Sequence, residues 1–466
     1  MTVTRLSWLT WYPRRFVFGL LLSLAGLGAI IPGPVGATET LTLDTAVIQA
    51  LRANPNLRAV SLERDATALE PEIARAARYP ELELGSSYTH YSDPYLVHPI
   101  ERPGEFPPLD DDITSVGAIM RLPLYAGGRL VAGESLADSL SEAALQRLHD
   151  SEQDLIYNVV ATYAKALQLR DLTIAEDHRI EGLQAEVEAI QRKLDQGRAA
   201  RLEVLRVQTR LSQAQFDQGA TAQGERDVQG LLAALMGAPP RDRVLEELPS
   251  ASFEVPDSAE TAAELAAREH PQVRQAQAQR DAAADRLAIA RGERLPEVDL
   301  VAETQTRRGG DWEGRDDWYV GVTLSVPLFD GGSRRKRVNQ AELEQRQYRQ
   351  RLRGVVDDVT TEARAAFGGL QTAEQRLQSA RRALAEAEEA LRIETRKYRA
   401  GRSTVTDLLS AEAARWTTLA NLNQAEYERF VADIRLYRAL GRLTPALFVG
   451  AASPPVESMS EGKGTS

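Results

Sequence analysis

The side chains able to do acid–base, nucleophilic or metal chemistry are present in this chain but are not gathered. Its five histidines, His90, His98, His149, His178 and His270, are scattered, and no two stand at the spacing of metal ligands. There is no cysteine, hence no thiolate nucleophile, thiolate metal site, disulfide or lipid-bearing N-terminal cysteine. Gly127-Gly128 and Gly331-Gly332 lack the Lys-Ser/Thr that completes a phosphate loop. Glu81 and Glu83, and Glu297, Asp299 and Glu303, each fall on one parity of a short alternating stretch, which makes a hydrated strand face rather than an acid–base pair. Trp312, Trp318 and Tyr319 cluster at one loop end, where amphipathic rings suit a membrane interface. No catalytic residue, metal or cofactor follows from these spacings.

The elements around them are more informative. From Trp318 to Val326, Trp318, Val320, Val322, Leu324 and Val326 alternate with Tyr319, Gly321, Thr323 and Ser325, the period of a strand with one apolar face. Pro327, which has no amide hydrogen, ends it, and Gly331 and Gly332 make the turn. The chain then changes period and runs without a breaker to about Tyr398, a helix of about 65 residues and roughly 100 Å. The same device occurs at Val116–Arg129, with Pro123 answering Pro327 and Gly127-Gly128 answering Gly331-Gly332, 204 positions apart. Gly197 answers Gly401 at the same offset, and Asn54-Pro55 answers His270-Pro271 at 216. The difference falls in the loop between paired strands, where insertions are tolerated. Two copies of one unit are expected.

The expected organisation is a secretory signal at 1–37, with Arg5, Arg14 and Arg15 before the apolar run Phe16–Ile31 and small residues at 35–37. A first repeat spans 38–237, with a β-hairpin at 80–124 and a long helical hairpin at 127–237. A proline-bearing linker at 238–257 leads to a second repeat at 258–441, with a β-hairpin at 296–327 and a helical hairpin at 331–441. Residues 442–466 form a disordered tail, richest in Ser, Pro, Glu and Gly from about Gly450. Ile180, Leu183, Val187, Ile190 and Leu194, and Leu370 to Leu391, carry the 3-4 spacing of a coiled-coil seam. The net charge is −11, and the signal holds three basic and no acidic residues, so the remainder carries −14. Such a chain is a poor nucleic-acid binder.

The fold class is mainly α with a small transmembrane β part. Four strands cannot close a barrel, and an open edge cannot sit in lipid. Two chains would give eight strands and little lumen, three would give twelve and a small pore. The expected object is a short outer-membrane barrel continued by a ring of long periplasmic helices. A soluble periplasmic coiled-coil scaffold would explain the seams but not the four alternating strands. A membrane-bound enzyme would need a side-chain constellation that is missing.

At this point the chain resembles the outer membrane efflux proteins, the TolC-like trimeric channel-tunnels. The likeness rests on Leu41-Thr42-Leu43-Asp44-Thr45-Ala46 with Asn54-Pro55, on Pro123-Leu124-Tyr125-Ala126-Gly127-Gly128 and Pro327-Leu328-Phe329-Asp330-Gly331-Gly332, and on the duplicated glycine at the helix turns. It implies a homotrimer in outer-membrane lipid, with a twelve-stranded barrel and an α-helical tunnel. It also implies docking on a periplasmic adaptor and an inner-membrane transporter, for efflux or type I secretion. The helix turns at Gly197 and Gly401 would be the docking tips. The resemblance further implies a periplasmic gate at Asp407, Glu203, Tyr398 and Arg402. Asp407 matches an acidic position that rings the mouth, while Ser410 stands where a second acid is expected and Arg402 is one residue off the usual place.

Overall fold

The computed structural model describes residues 40–449 except 101, 105, 242 and 250–252, so the expected signal at 1–37 and the tail from 450 lie outside the described residues. The chain opens with β1 (Thr40–Leu41), α1 (Leu43–Ala53), α2 (Pro55–Thr67) and α3 (Glu70–Ala76). Asn54 Oδ1 accepts from the amides of Asn56 and Leu57 at 2.9 and 3.1 Å while Pro55 takes the first helical position, so Asn-Pro starts α2 for two separate reasons. The helical run that starts at Pro55 is broken after Thr67, because Pro71 in the first turn of α3 can neither donate nor fit against a preceding turn.

Strands β2 (Glu81–Leu96) and β3 (Leu109–Ala126) follow, then α4 (Arg129–Asp195) and α5 (Arg201–Leu235). After β4 (Val244–Leu245) come α6 (Ala259–Glu269), α7 (Pro271–Gly292), β5 (Glu297–Arg308), β6 (Gly314–Ser325), α8 (Ser333–Arg399), α9 (Val405–Ala439) and the short α10 (Ala446–Val449). Helices α4 and α8 have 67 residues each and α5 and α9 have 35 each. At ~1.5 Å per residue the longer pair reach about 100 Å.

The four long strands form one antiparallel sheet in the order β2-β3-β5-β6. Its register gathers the apolar positions on one face: Leu82 lies opposite Met120, Met120 opposite Ala302, and Ala302 opposite Val320. One step on, Leu122, Leu300 and Val322 line up, and Leu324 faces Val298. The other face carries Glu83, Glu303, Gln305 and Asp317, with Ile119 and Val301 among them. Leu82, Leu84, Val322 and Leu324 are 64–78 % exposed, so the apolar face has no cover within the chain.

Two strand limits differ from expectation. The ladder includes Pro123, opposite Asp299, and resumes at Tyr125, reaching Ala126 through an irregularity that skips Leu124. The first hairpin therefore ends at Ala126 rather than 124. Its far end also runs on: Tyr95 and Leu96 pair with Asp110 and Leu109, despite Pro94. The aromatic cluster divides as well. Trp318 shares the apolar face, whereas the Tyr319 hydroxyl donates to Glu303 at 2.8 Å on the polar one.

Below the sheet, the main core joins α1, α4, α5 and α9 around Val47, Ile156, Val159, Tyr163 and Ile434. The segment 238–257 is not a loose linker. Its β4 pairs in parallel with β1, and the Tyr163 hydroxyl donates to the carbonyls of Leu41 and Glu246, both at 2.7 Å. Within it the Ala238 and Glu246 amides donate to the carbonyls of Ala233 and Leu41 at 2.9 and 3.0 Å. The C-terminal tail likewise packs further than expected: Leu443 and Phe448 are 1 % and 2 % exposed in the same core, so 442–449 is ordered by burial of its apolar residues.

Candidate functional site

The long helices bring two turns together at the end far from the sheet. Both turns are built alike. Gly197 and Gly401 each have φ of +70°, and the next amides, Arg198 and Arg402, reach back to the carbonyls of Lys193 and Lys397 at 2.8 and 2.9 Å. This satisfies carbonyls that the helix end would leave bare, and a side chain with Cβ is strained at that φ.

The helices that leave the turns start differently. Ala200 precedes α5 without a side-chain cap. Thr404 and Asp407 close a capping box on α9: the Thr404 hydroxyl accepts from the Asp407 amide, and Asp407 Oδ2 accepts from the Thr404 amide at 3.1 Å and its hydroxyl at 2.7 Å. Those donors hold the Asp407 carboxyl below the usual carboxylate range. Ser403 donates to Glu394, and Lys397 pairs with Glu394 at 3.2 Å. The Thr-x-x-Asp spacing could have shown this cap in the sequence; Ser403 and Glu394 carry no such signature.

An apolar cluster joins the hairpins. Leu183 and Ile190 of α4 and Val204 and Val207 of α5 pack with Val405 and Leu409 of α9, and Tyr398 lies against them. Around it run polar contacts between the hairpins. Lys193 Nζ stands 4.6 Å from the Tyr398 ring centre, and Arg206 donates to the Thr406 hydroxyl at 2.6 Å. Farther along, the Arg179 guanidinium lies 5.0 Å from the Trp416 ring centre, beside a cavity of about 290 Å³ lined by Arg210, Glu412 and Trp416. Burial raises the Glu412 carboxyl above its ordinary range.

Among the described residues no hydrogen bond or ion pair joins Asp407, Glu203, Tyr398 and Arg402 to one another within the chain. Burial, and then the charges of Glu186 and Glu203, push the Tyr398 hydroxyl up. The Tyr398 hydroxyl is buried without a partner. Among the described residues the Arg402 side chain makes no hydrogen bond or ion pair, so no Tyr398–Glu203–Arg402 link forms within one chain. Lys193, Arg206 and Thr406 make the cross-hairpin contacts instead, which their positions in the sequence did not announce.

At the opposite end of the long helices, Gly127, Gly128, Gly331 and Gly332 all have positive φ between strand and helix. Asp330 caps α8, accepting from the amides of Gly332 and Arg334 at 3.0 and 2.9 Å. A Cβ on Gly127 would stand 2.5 Å from the Gly292 carbonyl, so β3 can turn into α4 against α7 only without one. Among the histidines, His270 is 1 % exposed and does structural work. Its Nδ1 accepts from the Gln272 amide at 3.2 Å at the start of α7, and its Nε2 faces Arg438 at 2.9 Å. Arg438 also holds Asp150 and Asp154, each at 2.6 Å.

No helix among the described residues is long and apolar enough to cross a membrane. The family model described as outer membrane efflux protein matches residues 46–238 and 262–442. The outer membrane efflux protein BepC of Brucella suis biovar 1 is 25% identical over 424 residues, 90% of this chain and 88% of that protein. The outer membrane protein TolC of Vibrio cholerae serotype O1 is 27% identical over 420 residues, 85% of this chain and 90% of that one. The crystal structure of the outer membrane protein VceC from Vibrio cholerae superposes with a TM-score of 0.75 at 21% identity, covering 86% of this chain and 96% of that one. With both of its halves matched, the chain belongs to the outer membrane efflux protein family.

Proposed function

We propose that three copies of this chain form an outer-membrane channel-tunnel, the exit duct of a tripartite efflux or type I secretion system. The barrel lies in outer-membrane lipid and the helices extend into the periplasm, where they meet an adaptor and an inner-membrane transporter. One observation carries this reading: a four-stranded sheet whose apolar face is bare and whose outer strands, β2 and β6, have no further partner among the described residues. Open edges cannot persist in lipid, and closure needs strands from other copies. Three chains supply twelve strands, a barrel with room for a lumen. Membership of a transport family supports a conduit rather than an enzyme, and the soluble scaffold gains nothing from a sheet with one bare apolar face.

The chain is read as two copies of one unit, 38–237 and 258–441. The matched helix lengths support this, as do the starts of α4 and α8 and of α5 and α9, each pair 204 positions apart. The tips at Gly197 and Gly401 are the proposed docking points. Asp407, Glu203, Tyr398 and Arg402 are the proposed gate. The Arg402 guanidinium is left for a neighbouring copy, while the Tyr398 hydroxyl is buried within the chain.

Native mass measurement in detergent tests the assembly. Three times the mass of the mature chain is expected, and a stable monomer would overturn the reading.

A further inference from the structure

The cavity beside Arg179 and Trp416 lies between the two helical hairpins, where α4, α5, α8 and α9 meet, and encloses about 290 Å³. Its wall is chemically uneven. Leu183, Leu391, Leu409 and Leu419 make the apolar part, with the Trp416 ring among them. A Cβ on Gly182 would meet nothing within 4 Å, so this turn of α4 leaves space rather than filling it. The charged part is one-sided. Arg179, Arg210 and Arg415 line the cavity with His178, and Glu412 is the one acid among the lining residues.

These basic groups are not equally satisfied. Arg415 reaches Glu388 at 3.5 Å, and His178 reaches Glu181 at 3.5 Å. Arg210 has no hydrogen bond or ion pair among the described residues. Arg179 lies over the Trp416 ring with its Nη1 buried and without a hydrogen bond. Asp217 Oδ2 stands 3.8 Å from that nitrogen, too far to accept one. Burial pushes the Arg179 pKa down, and the charge of Arg210 adds to this against the pull of Asp217, Glu176 and Glu412. Glu412 makes no hydrogen bond to Arg179. Burial, and then the charge of Glu186, raise its carboxyl against the pull of Arg179. A buried donor without an acceptor costs free energy that a bound acceptor returns.

We propose that this cavity binds a small aromatic anion, a carboxylate or sulfonate carried on one or two rings. The acid oxygens accept from Arg179 and Arg210, and the ring lies against Leu183, Leu409 and Trp416. Charge complementarity selects an anion, because three guanidiniums line a cavity that holds one acid. The apolar wall selects a ring over an inorganic ion, which would leave that wall uncovered. The volume is at the low end for small-molecule sites, which limits the ligand to one or two rings. Arg179 and Arg210 belong to the first hairpin, whereas Leu409 and Trp416 belong to the second. An occupant therefore ties the two hairpins together through its two ends. The site is complete within one chain and does not rest on the number of copies.

Trp416 reports occupancy directly. Of the five tryptophans, Trp8 and Trp11 fall in the expected signal, so Trp312→Phe with Trp318→Phe leaves Trp416 as the emitter. The full chain in lipid nanodiscs is titrated with naphthoate, and with naphthamide as the neutral counterpart of nearly the same shape. Naphthoate should change Trp416 emission saturably, with one site per chain by calorimetry. Naphthamide should bind about tenfold more weakly, the loss of a charge-assisted hydrogen bond. Arg210→Gln, at an exposed position that folding tolerates, should weaken naphthoate about tenfold and leave naphthamide unchanged. Glu412→Gln, which removes the one lining acid at constant shape, should tighten naphthoate. The site is overturned by the absence of a saturable response to naphthoate, by equal affinity for acid and amide, or by Arg210→Gln binding the acid as the unsubstituted chain does. It is also overturned if Glu412→Gln fails to tighten naphthoate. A chain that proves monomeric yet binds in this way leaves the site standing while the proposed assembly falls.

Discussion

His270 shows how a residue that invites a chemical reading serves the fold. It stands where the first half has Asn54, and both cap a helix that begins with proline. Burial, and then the neighbouring Arg438, push its pKa down to about 4. The folded state therefore prefers the neutral ring, and its contribution is present above the ordinary histidine value of about 6.5 and is lost as pH falls from there toward 4. A shift of this size corresponds to about 3 kcal/mol. We expect the thermal midpoint to fall across that window, and His270→Asn, which keeps a capping oxygen, to remove much of the fall. An unchanged pH profile in the variant would mean that carboxylates alone set it. Asp407 has the same sign in a lower window. Its lowered pKa stabilises the tip at neutral pH, and this is lost as pH drops below the usual carboxylate range.

At the scale of elements, the sheet's two faces decide how the chain meets lipid. Leu324 lies opposite Val298 on the apolar face, and Thr323 lies opposite Asp299 on the other. An arginine facing mid-bilayer lipid costs about 2–4 kcal/mol, whereas one facing water costs little. Leu324→Arg should therefore reduce the amount of assembled protein recovered from membranes, and Thr323→Arg should reduce it much less. Equal recovery would reverse the assignment of faces. The strand–helix turns set the other constraint. Gly127 and Gly292 meet backbone to backbone, so the sheet is seated on α4 and α7 with no room for even a methyl group.

For the whole molecule, the two hairpin tips are tied within a chain by Lys193 on Tyr398 and by Arg206 on Thr406. The Tyr398 hydroxyl and Arg402 are left over. In a threefold assembly the Arg402 guanidinium can bridge neighbours, and three Asp407 carboxylates near the axis would favour cations. Planar-bilayer recording separates the two roles. Asp407→Asn should lower cation preference without opening the pore, since asparagine can still accept from Thr404 at the cap. Arg402→Ser with Tyr398→Phe should raise resting conductance. Unchanged selectivity in the first variant would place the ring elsewhere, and unchanged conductance in the second would make these residues surface.

Much of this was legible in one dimension, because strands and helices write their period into the sequence. The alternation from Trp318 to Ser325, the helix of 67 residues after Gly332, and the turn glycines Gly197 and Gly401 are local consequences of local residue types. The Thr404–Asp407 cap was equally local and was there to be read. What neighbours in sequence do not determine is which distant groups meet. Nothing local pairs β3 with β5, stacks Lys193 on Tyr398 rather than joining Arg402 to Glu203, or pins 238–257 through Tyr163. Those outcomes depend on how α4 and α5 align with α9 along the cluster that joins the hairpins. A displacement of one turn exchanges every partner along their length, and that alignment is fixed by burial of the whole seam rather than by any one residue.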